Sequence, residues 1–312
     1  MRKLHKLHSG FTLIEAIMVI VITGILSSIV AVFITKPVQG YVDSVRRAEL
    51  TDAADVALRR MTRDIRLALP NSLRVTTTGG FSYIEFIVTK SGGRYRDPAD
   101  GSTAGDFLSF TSAADVSFHS LGKITNATSD VDYIATAATP LNPDGTTPQD
   151  YIVIYNLGPE YNPANAYNYS ATTDTCGAGG CNIARVSSVN CAASPCTVTI
   201  SANPYGAQSP PLPSPTGRFQ VVSGNVRAVT FACPTAAGSF TRYWNYGFTA
   251  AQPTAFASSS SALLATGASC VIEYSPNATG RNGLLYVQLT LADTPSGESV
   301  TLFQQIHVDN SP

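Results

Sequence analysis

Charge is scarce in this chain. Only 13 % of its 312 residues are Asp, Glu, Lys or Arg, and 20 basic against 21 acidic side chains leave a formal charge of −1. Binding to nucleic acid draws on a basic excess, and there is none. Histidine is as sparse: His5 and His8 stand near the amino end, which leaves His119 and His307 for everything else. In VSFHS and QIHVD neither belongs to a motif, and each reads as a strand residue with a satisfied ring rather than a base or ligand. No G-x-S-x-G, H-E-x-x-H or Walker sequence occurs, so no enzymatic activity, cofactor or metal is expected. No repeat of about 20 to 50 residues is present, which excludes solenoids and propellers.

What the chain does have is one long apolar run, Phe11 to Ile34, broken by a single acid, Glu15. As a helix rising about 1.5 Å per residue it spans a bilayer core of roughly 30 Å. The leader MRKLHKLHSG places Arg2, Lys3 and Lys6 before it, which keeps the amino end on the cytoplasmic side. Small residues, Ser9 and Gly10, precede the run instead of following it, the reverse of a secretory signal. A cut after Gly10 retains the anchor and takes the basic count from 20 to 17 against 21 acids. A carboxylate at mid-bilayer costs about 2.5–3.5 kcal/mol, so Glu15 needs a partner. The amine freed at Phe11 would lie about one helical turn away and is the only nearby cation; pairing between chains would fix an axial offset in a helical array. Gly24 and Ser28 form a small-xxx-small pair suited to close helix contact.

Gly10-Phe11-Thr12-Leu13-Ile14-Glu15, joined to a basic leader and a long apolar helix, resembles the processing signature of type IV prepilins and type II secretion pseudopilins. The resemblance implies cleavage between Gly10 and Phe11 by a prepilin peptidase, N-methylation of Phe11 and an assembly role for Glu15. The implied partners are other major and minor pilins, the prepilin peptidase, an inner-membrane assembly platform and, before assembly, membrane lipid. No nucleic acid is expected. The implied location is the bacterial inner membrane, with a periplasmic domain, and then a surface pilus.

The implied fold is α+β and pilin-like: a long amino-terminal helix packed on an antiparallel, disulfide-bonded β domain. The expected divisions are a leader at 1–10, a transmembrane or filament-core helix at 11–35, an amphipathic half at 36–70 and the β domain at 71–312. Pro37 should bend or loosen the helix. Beyond it Leu50, Ala54, Ala57, Leu58, Met61, Ile65, Ala68 and Leu69 form an apolar stripe, with Asp55 and Arg59 set for an i,i+4 pair and Pro70-Asn71 as the stop. Strand-like runs follow at Leu73–Thr77, Phe81–Thr89, Asp106–Phe110, Tyr151–Tyr155, Ile183–Val189, Thr197–Ser201, Arg218–Ser223, Val226–Ala232, Phe240–Tyr246, Val271–Tyr274, Leu284–Leu291 and Ser299–Val308. The first two, joined at Thr78-Gly79-Gly80, read as a hairpin. The Pro-rich connections Thr136–Gln149 and Asn203–Pro215 are candidate boundaries, with a subdivision near 203–215.

Six cysteines permit 15 pairings. Cys176 and Cys181, and Cys191 and Cys196, can each close locally, leaving Cys233 for Cys270; the rival is a zinc site built from the two C-x4-C units. An oxidising compartment across the membrane favours disulfides. Asp97, Asp100 and Asp106 raise calcium against a plain solvated loop. Asn126, Asn168 and Asn277 match the glycosylation acceptor by composition alone. Tyr243, Trp244, Tyr246 and Phe248 are either an adhesive surface or a core cluster.

A closer resemblance runs through Lys36–Val75, Gly92–Arg96, the FACP around Cys233, Thr241–Phe248 and Glu298–Pro312, which look like the MshO-type minor pilins of the mannose-sensitive haemagglutinin (MSHA) pilus. It implies a low-abundance subunit that initiates or primes assembly at or near the tip. Major pilins are about half as long, the same resemblance implies, so so large a domain would crowd its neighbours at every lattice position. Two other readings stay open: a minor pseudopilin of a type II secretion system, and an anchored extracytoplasmic enzyme or binding protein.

Overall fold

The structure is a computed structural model and describes residues 10–96, 106–122, 124–125, 127–130, 132–141, 148–277 and 282–312. The leader residues 1–9, Asp97 and Asp100 of the calcium reading, and the Asn126 acceptor lie outside the described residues.

One helix dominates. α1 (Leu13–Ile65) has 53 residues, about 80 Å at ~1.5 Å per residue, and passes through Pro37 without a break. Pro37 has no N–H to donate to the helix, and the helix carries on past it. The helix stops at Ile65, before Pro70. Leu69 N donates to Ile87 O (2.7 Å) and Thr89 N to Leu67 O (2.7 Å), so pairing with a strand draws the chain out of the helix before the proline is reached.

The strands are β1 (Arg74–Thr78), β2 (Phe81–Ile87), β3 (Thr89–Tyr95), β4 (Ser117–Leu121), β5 (Tyr151–Val153), β6 (Tyr169–Ser170), β7 (Thr175–Cys176), β8 (Ile183–Asn190), β9 (Cys196–Ile200), β10 (Arg218–Val222), β11 (Ala228–Pro234), β12 (Gly238–Trp244), β13 (Ser260–Ser275), β14 (Asn282–Ala292) and β15 (Ser299–Asp309). They form two large antiparallel assemblies. One is a seven-stranded sheet in the order β1-β2-β11-β12-β13-β14-β15; the other is a closed barrel, β10-β3-β4-β9-β8-β5, and β6 pairs with β7 separately. The α+β plan is thus as expected, with the barrel set into the sheet between β2 and β11.

The division between the assemblies falls at Val88 and at Ser223–Arg227. The stretch 203–215 joins β9 to β10, both strands of the barrel. Asp150 pins both crossings: it accepts from Lys90 Nζ (2.7 Å) just past the first and from Gly224 N (3.0 Å) in the second. At Gly224 a Cβ would lie 2.0 Å from Gln149 O, so a side chain has no room.

Three apolar clusters hold these parts together. Ala54, Ala57, Leu58, Met61 and Ile65 of α1 pack on Ile84, Phe86, Phe231, Leu285 and Val287 of the sheet. Phe118, Phe219, Val198 and Ile152 fill the barrel. Leu69, Ile87, Tyr151, Val222, Ala228 and Phe248 form the seam between the two. β1 and β2 make the expected hairpin, Thr78 opposite Phe81, with Gly79 and Gly80 both at positive φ as a two-residue primed turn requires.

The expected strand at Asp106–Phe110 does not form. Its first residue instead serves β4 as a cap: Asp106 O accepts from His119 N (2.9 Å), its N–H donates to His119 Nδ1 (3.2 Å) and its carboxylate accepts from Ser117 Oγ. Conversely β3 and β4, with Ser or Gly at five of their twelve positions, carry a weak apolar pattern and are strands because the barrel closes through them.

Candidate functional site

The amino-terminal helix opens with a cap. Thr12 has extended backbone angles, φ −84° and ψ 150°, and its Oγ1 accepts from Glu15 N (3.4 Å); the same hydroxyl lies 3.5 Å from Glu15 Oε2. This is half of a T-x-x-E capping box, so Thr12 and Glu15 start the helix immediately after the Gly10-Phe11 bond. The spacing was present in the sequence, where Glu15 drew attention only as a charge. Negative charge in a first turn also suits the helix dipole.

From Phe11 to Glu49 the described side chains are exposed, save half-buried Ala16 and Asp43. The helix is long and apolar enough to cross a membrane, and none of its apolar window is buried in the protein. Two of its hydroxyls bond within the helix: Thr23 Oγ1 donates to Val19 O (2.7 Å) and Ser28 Oγ to Ile25 O (2.7 Å). A Cβ at Gly24 would meet nothing within 4 Å, so Gly24 and the folded-back Ser28 leave a shallow strip on which another helix can lie. Glu15 is the one ionisable group on this surface between Phe11 and Ile34.

The membrane-distal half is fastened to the sheet by charge as well as burial. Asp64 Oδ2 meets Arg242 Nε at 2.7 Å, with Arg242 8 % exposed and 4.7 Å over the Trp244 ring. Arg47 bonds Glu298 at 2.9 Å near the start of β15, and the expected Asp55–Arg59 pair forms at 2.6 Å on the exposed side. Deeper in, Glu85 is fully buried. It pairs with Arg74 (2.6 Å) and accepts from Tyr246 OH (3.0 Å), while the Arg74 guanidinium lies 3.7 Å over the Tyr167 ring. Burial pushes the Glu85 carboxyl above its ordinary range, and Arg74 and Tyr246 pull against that shift. The buried phenol of Tyr246 is likewise raised, by burial first and then by Glu85. These pairs join residues far apart in sequence, and no local pattern announces them.

All six cysteines are paired, Cys176–Cys181, Cys191–Cys196 and Cys233–Cys270. The thiolates a zinc site would need are therefore consumed, which removes that rival. Among the described residues no group of three or more His, Cys, Asp or Glu is placed to hold a metal. His119 is engaged with Asp106, and His307 stands exposed on β15. Asn168 Nδ2 is occupied by the carbonyls of Ala178 (2.8 Å) and Gly180 (2.7 Å), and the Asn277 acceptor runs on into residues outside those described.

The aromatic group divides by contact. Phe248 sits edge-on to Tyr151 in the seam, Tyr246 is held by Glu85 and Thr230, Trp244 lies against the helix–sheet core under Arg242, and Tyr243 stacks on Phe256 at 4.4 Å. Of the four only Phe248 is buried; Tyr243, Trp244 and Tyr246 are half-buried, each with an intramolecular partner.

Residues 5–31 match the prokaryotic N-terminal methylation motif. The basic leader's end, the Gly10-Phe11 bond, the Thr12–Glu15 cap and the exposed apolar helix all fall within or beside that match, and together they fit a membrane-anchored chain with a type IV pilin-like amino-terminal signal. Such a motif implies processing by a prepilin peptidase and pilin partners in general. No curated protein and no solved structure matches the chain.

Proposed function

We propose that this chain is a minor type IV pilin of MSHA type, a low-abundance subunit that helps initiate or prime pilus assembly at or near the tip, and that it works by packing rather than catalysis. The observation that carries the reading is a bare apolar half-helix with a single acid at its capped end, attached to a domain of two β assemblies. Cleavage after Gly10 would leave the Phe11 amine, to be methylated, near Glu15 of this chain or a neighbour. In the inner membrane the pair neutralises a costly charge, and in a filament it sets the axial offset. Three disulfides suit a periplasmic domain. Of the segments that resemble MshO-type pilins, all but Gly92–Arg96 fall in α1, the seven-stranded sheet and the stretches adjoining them. That helix-bearing body is the part a shared filament position would constrain, while the inserted barrel supplies the bulk that limits copy number.

The test is Glu15→Ala in the native host. Membrane insertion should be retained and filament number should fall by at least about tenfold, since removing one partner of a buried charge pair costs about 3–5 kcal/mol; unchanged piliation would remove Glu15 from assembly. Mass spectrometry of the native membrane form should find a chain beginning at methylated Phe11. The same helix would serve a type II secretion pseudopilin, so deletion of the gene should be scored by electron microscopy of filaments and by secretion in parallel. Lost secretion with normal filaments would favour that second reading.

A further inference from the structure

The seven-stranded sheet has two edges, and they are finished differently. β1 is five residues long and roofed by the loop after β12: Gln252 Nε2 donates to Tyr83 O (3.1 Å), and the Arg74 guanidinium donates to Thr249 O (2.7 Å) and Ala250 O (2.6 Å). β15, at the opposite edge, runs for 11 residues, about 36 Å at ~3.3 Å per residue. Among the described residues its backbone pairs with β14 alone, and the one further hydrogen bond to it is from Gln304 Nε2 to the Gln305 carbonyl at 3.3 Å, while α1 packs on its helix-side face. Solitary edges are normally blunted by lysine, proline, an inward charge or a bulge. SVTLFQQIHVD has no lysine or proline, no charge before His307 and Asp309, and an unbroken register from Ser299 opposite Ala292 to Asp309 opposite Asn282.

The surroundings of that edge describe its occupant. On the helix side a groove of about 460 Å³ is walled by Arg59, Thr62, Arg63, Arg66, Leu67 and Gln304. Asp55 holds Arg59 and Arg242 holds Asp64, whereas Arg63 and Arg66 have no acidic partner among the described residues. On the other face Phe303 is 62 % exposed, 6.2 Å from Tyr286. Val300 and Leu302 are only half-buried, although their β14 partners Leu291 and Leu289 are buried. Ile306 and Val308 are buried under α1, so cover is short at the Val300 and Leu302 end of the helix-side face and at Phe303 on the outer face.

We propose that the outer edge of β15 accepts an extended strand from a different subunit, with acidic side chains toward Arg63 and Arg66 and an apolar side chain against Phe303. Main-chain pairing would supply the affinity and the two faces the selectivity. A second copy of this chain does not fit, because two β15 strands side by side would bring two arginine walls together with only Asp309 to offset each. The inference leans on the filament reading only for where the partner is sought.

The test places a photo-crosslinking amino acid at Phe303 of the full chain in its native host, with filament number and Phe11 processing scored on the same cells. The expected adduct joins β15 to an acidic, extended peptide of another envelope protein. Its yield should fall at least about fivefold in Arg63→Glu/Arg66→Glu and in Thr301→Lys, but not in Arg63→Lys/Arg66→Lys or Arg218→Glu. Non-reducing mobility with three intact disulfides controls for folding. An adduct with a second copy of β15, with lipid alone or indifferent to charge reversal would overturn the proposal, as would no adduct in cells with normal filaments. A charge-sensitive adduct in cells lacking processing and filaments would instead overturn the filament reading and leave the strand-accepting edge standing.

Discussion

The two halves of α1 are equally continuous as helix and opposite in what covers them. Phe11–Ile34 is apolar on every side and nothing in the protein lies on it, whereas Ala54–Ile65 is apolar along one stripe and that stripe is buried to the last few per cent. A helix apolar all round belongs in an apolar surround, and a striped one belongs on a surface. The first half must therefore be covered by lipid or by other helices, while the second is covered by its own sheet. The first half can change its surroundings without repacking the domain, because it shares no core with the second.

The largest effect that would break this division is expected at Asp64. Asp64→Ala leaves Arg242, 8 % exposed, without its carboxylate, and should cost about 3–5 kcal/mol in chemical denaturation of the full chain in detergent. Arg63→Ala, one residue away on the exposed side, should leave the midpoint where it is. The disulfide beneath the same half of the helix comes next. Cys233–Cys270 joins β11 to β13 across 37 residues and should contribute about 4 kcal/mol by loop entropy, against about 2 for each five-residue loop, so Cys233→Ser/Cys270→Ser should lower stability more than opening either local bridge. Met61→Ala should cost about 2–5 kcal/mol by opening a cavity under the stripe. Ile20→Ala, on the bare half, should not move the domain's midpoint; a shift there would mean the two halves are coupled after all.

The same contrast explains what was legible in the sequence. Uniform hydropathy and the GFTLIE hexapeptide are local signals, and so are the stripe, the hairpin turn at Gly79-Gly80 and the C-x4-C closures; each appears in the structure where the residues put it. The partition of strands into a sheet and a barrel was not legible. It depends on β2 ending at Ile87 and β3 starting two residues later in a different assembly, within one run that reads as a single strand from Phe81 to Thr89. Likewise Val271–Tyr274 expanded into the 16-residue β13 because its first half, Ser260–Ala268, is carried by pairing with β12 and its second half, Ala268–Ser275, by pairing with β14, rather than by its own propensity. Of the candidate site, Phe11 and Glu15 stood out by chemistry, whereas Thr12 was missed because a capping hydroxyl looks ordinary until the helix start is known.

The smallest expected effect sharpens the comparison from the solvent side. Asp55 and Arg59 satisfy the i,i+4 rule and meet at 2.6 Å, the shortest kind of contact the helix surface offers, yet Arg59's side chain is 79 % exposed and Asp55's 41 %. Exposed pairs gain little because water already solvates both charges and two long side chains must be held still. Asp64 and Arg242 meet at nearly the same separation, 2.7 Å, but at 13 % and 8 % exposure. Asp55→Asn should therefore leave the denaturation midpoint unchanged while Asp64→Asn lowers it, and the gap should persist when salt is raised to about 1 M, where a Debye length of ~3 Å screens exposed charges and spares buried ones. If both substitutions shifted the midpoint alike, and both shifts vanished in salt, attachment of the lower half-helix would be an electrostatic matter at its surface and not a consequence of what the sheet buries.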